Sequence, residues 1–182
     1  METGKKMNNK EGTSISENTI TGARFFIHDE INQVLFNVEG DDGEAQFNMG
    51  LFYAKGHGVK RDFAKMSEWM SKASENGDED AEGFLKEFGN MADDLKKAEN
   101  GDAGAQAEVA ARFMKLGPIM DQAGSEGDYE ESVKWAAKSA EQNNGYGLWT
   151  LALAYEHGRG VASNPKKAVE LYQKGADIND SR

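Results

Sequence analysis

The sequence predicts an all-α fold, a short solenoid of antiparallel helix pairs. Three observations carry that expectation. Residues Ala45 to Asp78 read as two helices joined by a glycine-marked turn. The same pattern returns later in the chain at fixed offsets. A hairpin of this kind has an apolar face on both helices, and it can bury them only against neighbours.

The first helix is expected from about Glu44 to Lys55, where Ala45, Met49, Phe52 and Tyr53 recur at helical spacing. Gly56-His57-Gly58 ends it, because glycine readily takes the left-handed conformation that terminates a helix. Asp62 is placed to cap the second helix, whose Phe63, Met66, Trp69, Met70 and Ala73 share one face. Asn76-Gly77 stops that helix. An offset of 102 sets Tyr155 on Tyr53, Gly158 on Gly56, Gly160 on Gly58 and Val161 on Val59, with no gap. An offset of 60 sets Ala105-Gln106 on Ala45-Gln46 and Phe113 on Tyr53. The second helix of that copy needs an offset of 66, which sets Asp128 on Asp62 and Trp135 on Trp69. The two offsets differ by six residues, an insertion in the internal turn around Leu116 to Gly127.

Residues 1–22 are polar, lack aromatic side chains and read as a flexible tail. Residues 23–39 read as an N-terminal capping helix, in which Asp29 supplies a cap and Ile31, Val34, Leu35 and Val38 keep helical spacing. Residues 40–182 then hold the solenoid, with repeats over 44–77, 102–144 and 145–178 and a degenerate one over 78–101. The degenerate stretch has two readings. It is a pair of short helices broken at Gly89-Asn90, or one long helix, since Phe84, Phe88, Met91, Leu95 and Ala98 keep step across the break.

The run Ala45-Gln46-Phe47-Asn48-Met49-Gly50, with Tyr53, Gly56-x-Gly58-Val59, Asp62, Lys65, Trp69 and Lys72-Ala73, resembles the Sel-like repeat, a relative of the tetratricopeptide repeat. The last copy has Leu171 where the tryptophan is usual, and the middle copy keeps Trp135 but lacks the Gly-x-Gly-Val turn. The resemblance covers roughly Gly40 to Asp177 and implies a right-handed superhelix of antiparallel helix pairs that binds other proteins. It also implies that the first helix of each pair lines the concave side. Carried over residue by residue, that turns Phe47, Leu51 and Lys55 of the first repeat toward the groove. Met114 and Lys115 follow in the middle copy, and Tyr146, Trp149, Leu153 and His157 in the last. Aromatic residues tend to dominate binding energy, so Phe47 of the first repeat and Tyr146 and Trp149 of the last are the expected anchors. Trp69 and Trp135 fall at a packing position of the family motif and are expected in the core.

A chain of 182 residues fits one domain or one short solenoid. Cysteine is absent, which rules out disulfides and thiolate metal sites and departs from the secreted, disulfide-rich members of the resembled family. No segment has the pattern of a signal peptide or the length of a membrane span, so a cytoplasmic protein is expected. His28, His57 and His157 fit no metal-ligand spacing. Asp78-x-Asp80-x-Glu82 starts like a calcium loop but has Gly89 where that loop needs a bidentate glutamate. Gly56-x-Gly58 follows no strand and is no nucleotide loop. No catalytic residue, cofactor, metal or small-molecule substrate is expected, and the chain does not read as an enzyme.

The formal net charge is −11, which argues against nucleic acid as a partner. Turns between hairpins should all fall on one edge of a solenoid, and here they are acidic. Asp41 and Asp42 precede the first repeat, Glu44 begins it, and Asp78, Glu79 and Asp80 follow it. One reading is local, since acids favour helix N-termini through the helix dipole. The other is an acidic strip that steers a basic protein or peptide. Two function classes follow. One is a protein–protein interaction module that holds its partner in the groove and along the acidic edge. The other is a cytoplasmic immunity-type protein that neutralises a basic toxin.

Overall fold

The computed structural model describes residues 42–119 and 125–180. The expected tail over 1–22, the expected capping helix over 23–39 and Asp41 lie outside the described residues. The described residues form eight helices and no strand. They are α1 (Gly43–Lys55), α2 (Phe63–Glu75), α3 (Glu79–Phe88), α4 (Met91–Glu99), α5 (Ala103–Leu116), α6 (Ser125–Glu141), α7 (Gly145–His157) and α8 (Pro165–Asp180). This is the all-α solenoid expected from the repeats.

Short polar side chains start the helices. Asp42, Asp62, Asp78 and Asp102 each accept from backbone N–H groups two or three residues on, and Asn144 does the same for α7. Such caps satisfy donors that the first helical turn leaves without partners. Gly56 and Gly158 end α1 and α7 with φ of 75° and 68°. Between hairpins, Gly77 and Gly101 have φ of 88° and 94°, and Asn143 takes the same left-handed place at 58°. Asn143 lies at offset 66 from Gly77, so the turn recurs even where glycine does not.

α1 packs on α2, α5 on α6 and α7 on α8, which are the three full hairpins. The stretch over 78–101 is two helices, with Gly89-Asn90 between them. α3 packs on α2, while α4 packs on α5 and touches α2. The short pair therefore joins the first full hairpin to the middle one, α5–α6. Met66, Met70, Met91, Val109, Leu116 and Leu148 are buried along this path. Each contributes about 1.5–3 kcal/mol by leaving water. A repeated amide clamp adds register. Asn76 donates to Gln46 at 2.8 Å, and Gln142 donates to Gln106 at 2.8 Å, at the same offsets of 66 and 60.

Two expectations about the core need correction. Trp135 is buried among α5, α6 and their neighbours, but Trp69 is only half-buried. The Lys72 ammonium lies 4.3 Å from the Trp69 ring centroid, and Lys138 stands over Trp135 in the same way at 4.1 Å. The motif position thus places each ring under a lysine three residues on, and the depth of burial follows from what packs beside it. Asp128, set on the capping position Asp62 by sequence, is not a cap. α6 begins at Ser125, so Asp128 sits inside the helix and is fully buried.

Candidate functional site

The acidic edge divides into two kinds of residue. Asp42 and Asp78 are helix caps, as described above. Glu44, Glu79 and Asp80 lie in the first turns of α1 and α3 with their side chains exposed. The local reading therefore accounts for the two aspartates, and a charged strip remains only from the glutamates and Asp80.

The expected groove residues part in a similar way. Phe47 is half-buried, and its ring meets Phe84 of α3 edge-on at 6.0 Å. Leu51 is buried in the core, and Lys55 is buried with it. The placing of Leu51 and Lys55 on an accessible groove is corrected by this burial. The Lys55 ammonium pairs with Asp128, and it donates to the carbonyls of Leu116 and Gly117 at 3.3 and 3.4 Å. Arg61, from the turn before α2, reaches the other Asp128 oxygen at 2.5 Å. Its guanidinium also lies 5.9 and 5.5 Å from the rings of Phe63 and Phe113. The first repeat is thus bound directly to the third, past the end of the short α3–α4 pair. This explains why helix positions equivalent to groove residues are covered in the first repeat.

On α5, Met114 is half-buried and Lys115 is exposed, paired with Glu87 of α3 at 2.5 Å. Arg112 is paired with Asp94 and donates to the Glu87 carbonyl at 2.8 Å. On α7, Tyr146 and Trp149 are 40% and 46% exposed, and their rings stack with centroids 5.7 Å apart. Leu153 is half-buried one turn on, and His157 is exposed at the helix end. Partial burial pushes the Tyr146 phenol above its ordinary range, Glu108 and Glu87 add to that shift, and Lys115 and Arg112 oppose it. Those charges come from α3 and α5, so the first helices of three successive pairs share one surface around Tyr146. Trp149 stacks on Tyr146 and Lys115 is among the charges near it, whereas Leu51 and Lys55 are buried elsewhere.

Several exposed or charged residues were not singled out by sequence reasoning. Glu87, Glu108 and Arg112 form the charged part of the surface around Tyr146, and nothing in their spacing marks them. Val169 on α8 is 66% exposed. An offset of 102 sets it on Ser67, but the middle copy has Val133 at the same rank, so the sequence does not mark it. Among the described residues no cluster of His, Cys, Asp or Glu could hold a metal ion, and no helix is long and apolar enough to cross a membrane.

Comparison with known proteins agrees with this architecture. The family model of the Sel1 repeat matches residues 43–78, 105–144 and 146–180, leaving out the short α3–α4 pair. The chain is similar to the crystal structure of a Sel1 repeat protein from Oxalobacter formigenes, at 25% identity over 81% of this chain and 63% of that one, with a TM-score of 0.40. It is also similar to a protective antigen of uropathogenic Escherichia coli strains that displays an SLR fold. That match has 24% identity over 81% of this chain and 33% of the antigen, with a TM-score of 0.31. This chain therefore spans less than two thirds of either protein. No curated protein matches it. With three repeat matches over more than half of its length, the chain belongs to the Sel1-repeat family.

Proposed function

We propose that this chain is a non-enzymatic protein–protein interaction module whose binding surface centres on Tyr146 and Trp149. Sel1 repeats are generally protein–protein interaction modules and typically non-catalytic. One observation carries the assignment to this surface. Among the described residues, the large apolar side chains left exposed are Tyr146, Trp149 and Val169, and all three belong to the last repeat. Rigid aromatic rings stacked at a surface offer contact area at low entropic cost, and they are enriched among residues that dominate binding. Lys115, Leu153 and His157 extend the surface along the first-helix side. Glu44, Glu79 and Asp80 would speed the approach of basic segments of a partner, an effect that salt screens.

The test is affinity capture from the native cell with the natural chain and its Trp149→Ala variant, read by quantitative mass spectrometry. The proposal expects a partner at near-stoichiometric yield with the first and its loss with the second. Equal recovery of the same partners by both would remove Tyr146 and Trp149 from the interface.

A further inference from the structure

We propose that Tyr146, Trp149 and Glu108 together seat an arginine side chain of the partner protein, with its guanidinium against the rings and its N–H groups toward the Glu108 carboxylate. The inference rests on the interaction reading above and names the side chain that the surface recognises. Helix packing assembles the site. α5 and α7, the first helices of the middle and last hairpins, lie against each other. That contact brings Glu108 of α5 and Tyr146 of α7 to one surface. There Glu108 acts on the Tyr146 phenol more strongly than any other charged group.

Four charged side chains act on Tyr146, and three of them are committed within the protein. Lys115 pairs with Glu87 at 2.5 Å. Arg112 pairs with Asp94 at 2.5 Å, and Lys97 reaches the same carboxylate at 3.4 Å. Glu108 is exposed and makes no hydrogen bond or ion pair among the described residues. The surface therefore offers one carboxylate without an opposite charge, whatever the sum over its neighbours.

The rings lack a cation as well. Elsewhere the protein supplies its own, with Lys72 over Trp69, Lys138 over Trp135, Lys65 over Tyr53 at 5.2 Å and Arg159 over Tyr129 at 5.5 Å. Among the described residues no lysine or arginine stands over Tyr146 or Trp149, although both are exposed and lie only 19° from parallel. Aromatic faces attract cations through their quadrupole. An apolar side chain could cover the rings but would leave Glu108 without a counter-charge. Arginine meets both needs, because its guanidinium is planar, sheds water more readily than an ammonium, stacks on rings and presents a fork of donors to a carboxylate. The acidic edge, formed by the turns before α1 and α3, is a different surface.

The probe is a blocked pentapeptide with one arginine between glycines, compared with the same peptide carrying citrulline, its neutral isostere. Each is titrated into the full chain, and the Trp149 indole N–H resonance, assigned through Trp149→Phe, is followed by NMR. Saturable shifts are expected, with the citrulline peptide bound about fivefold or more weakly. Glu108→Gln should weaken the arginine peptide about threefold or more and leave the citrulline peptide unchanged. Circular dichroism verifies that Glu108→Gln keeps its helices. Absent saturation, equal binding of the two peptides, or an arginine affinity untouched by Glu108→Gln would overturn the proposal. So would an equal loss in Asp80→Asn, since the attraction would then come from the field of the whole chain. The broader interaction reading fails on a separate result, a captured native partner held equally by the natural chain and Trp149→Ala. Capture lost with Trp149→Ala but kept in full with Glu108→Gln would leave that reading standing and remove the arginine seat.

Discussion

Lys55, Asp128 and Arg61 are the residues at which burial changes chemistry most. Asp128 is fully buried between two cations, and the Lys55 side chain is 1% exposed. Removing one member leaves a buried charge of the other uncompensated. Asp128→Ala should therefore cost about 3–5 kcal/mol, while Lys55→Met combined with Asp128→Leu should recover much of that loss. Urea unfolding midpoints decide it, and a single variant that melts like the natural chain would remove the triad from the account. A second residue-scale prediction concerns pH. Burial, and then the hydrogen bond to Glu156 at 2.8 Å, push the Tyr172 phenol up to about 12. In the unfolded chain it titrates near 10. Between those values the unfolded state has lost the proton that the folded state keeps, so this group's stabilisation is present below about pH 10 and falls as pH rises toward 12. A tyrosine ultraviolet titration should show a last component later than that of Tyr146, and Tyr172→Phe should remove it.

At the scale of elements, turns and caps carry the architecture. Gly77 has φ of 88° with open space where a Cβ would go, so Gly77→Ala should cost only the left-handed penalty, about 1–2 kcal/mol. Gly160 has φ of 66°, and a Cβ there would collide with the backbone of Tyr129 and Glu130. Gly160→Ala should add about 1–3 kcal/mol of overpacking to the same penalty, a difference that thermal melts of the two variants would show. Caps and edge separate in the same manner. Asp78→Ala should cost about 1 kcal/mol through the lost bond to the Ala81 N–H, while Asp80→Ala should stay within about 0.5 kcal/mol. Both glycine turns were legible from sequence, since a left-handed stop needs only local information. The docking of Gly160 on Tyr129 was not, because it joins segments 31 residues apart in different repeats. Asp128 was misplaced for a related reason. An offset fixes a residue's rank in a repeat but not where the helix around it begins.

Across the whole molecule, the repeat offsets foretold the helix pairs and the solenoid. They could not foretell that the short α3–α4 pair lets the first and third repeats meet. That meeting buries Lys55, while Lys115 and His157, its equivalents on α5 and α7, stay exposed. The same rank in a helix is thus core in one repeat and surface in another, according to which neighbours cover it. Trp135 and Trp149 mark the two cases, and comparing them tests the central claim most directly. With the partner recovered from the native cell, binding is measured by titration calorimetry and stability by urea melts for Trp135→Ala and Trp149→Ala. The account predicts a stability loss of about 3–5 kcal/mol for Trp135→Ala. For Trp149→Ala it predicts a binding loss of about 2 kcal/mol or more with the melting transition retained. A collapsed melt for Trp149→Ala with its affinity intact would contradict it.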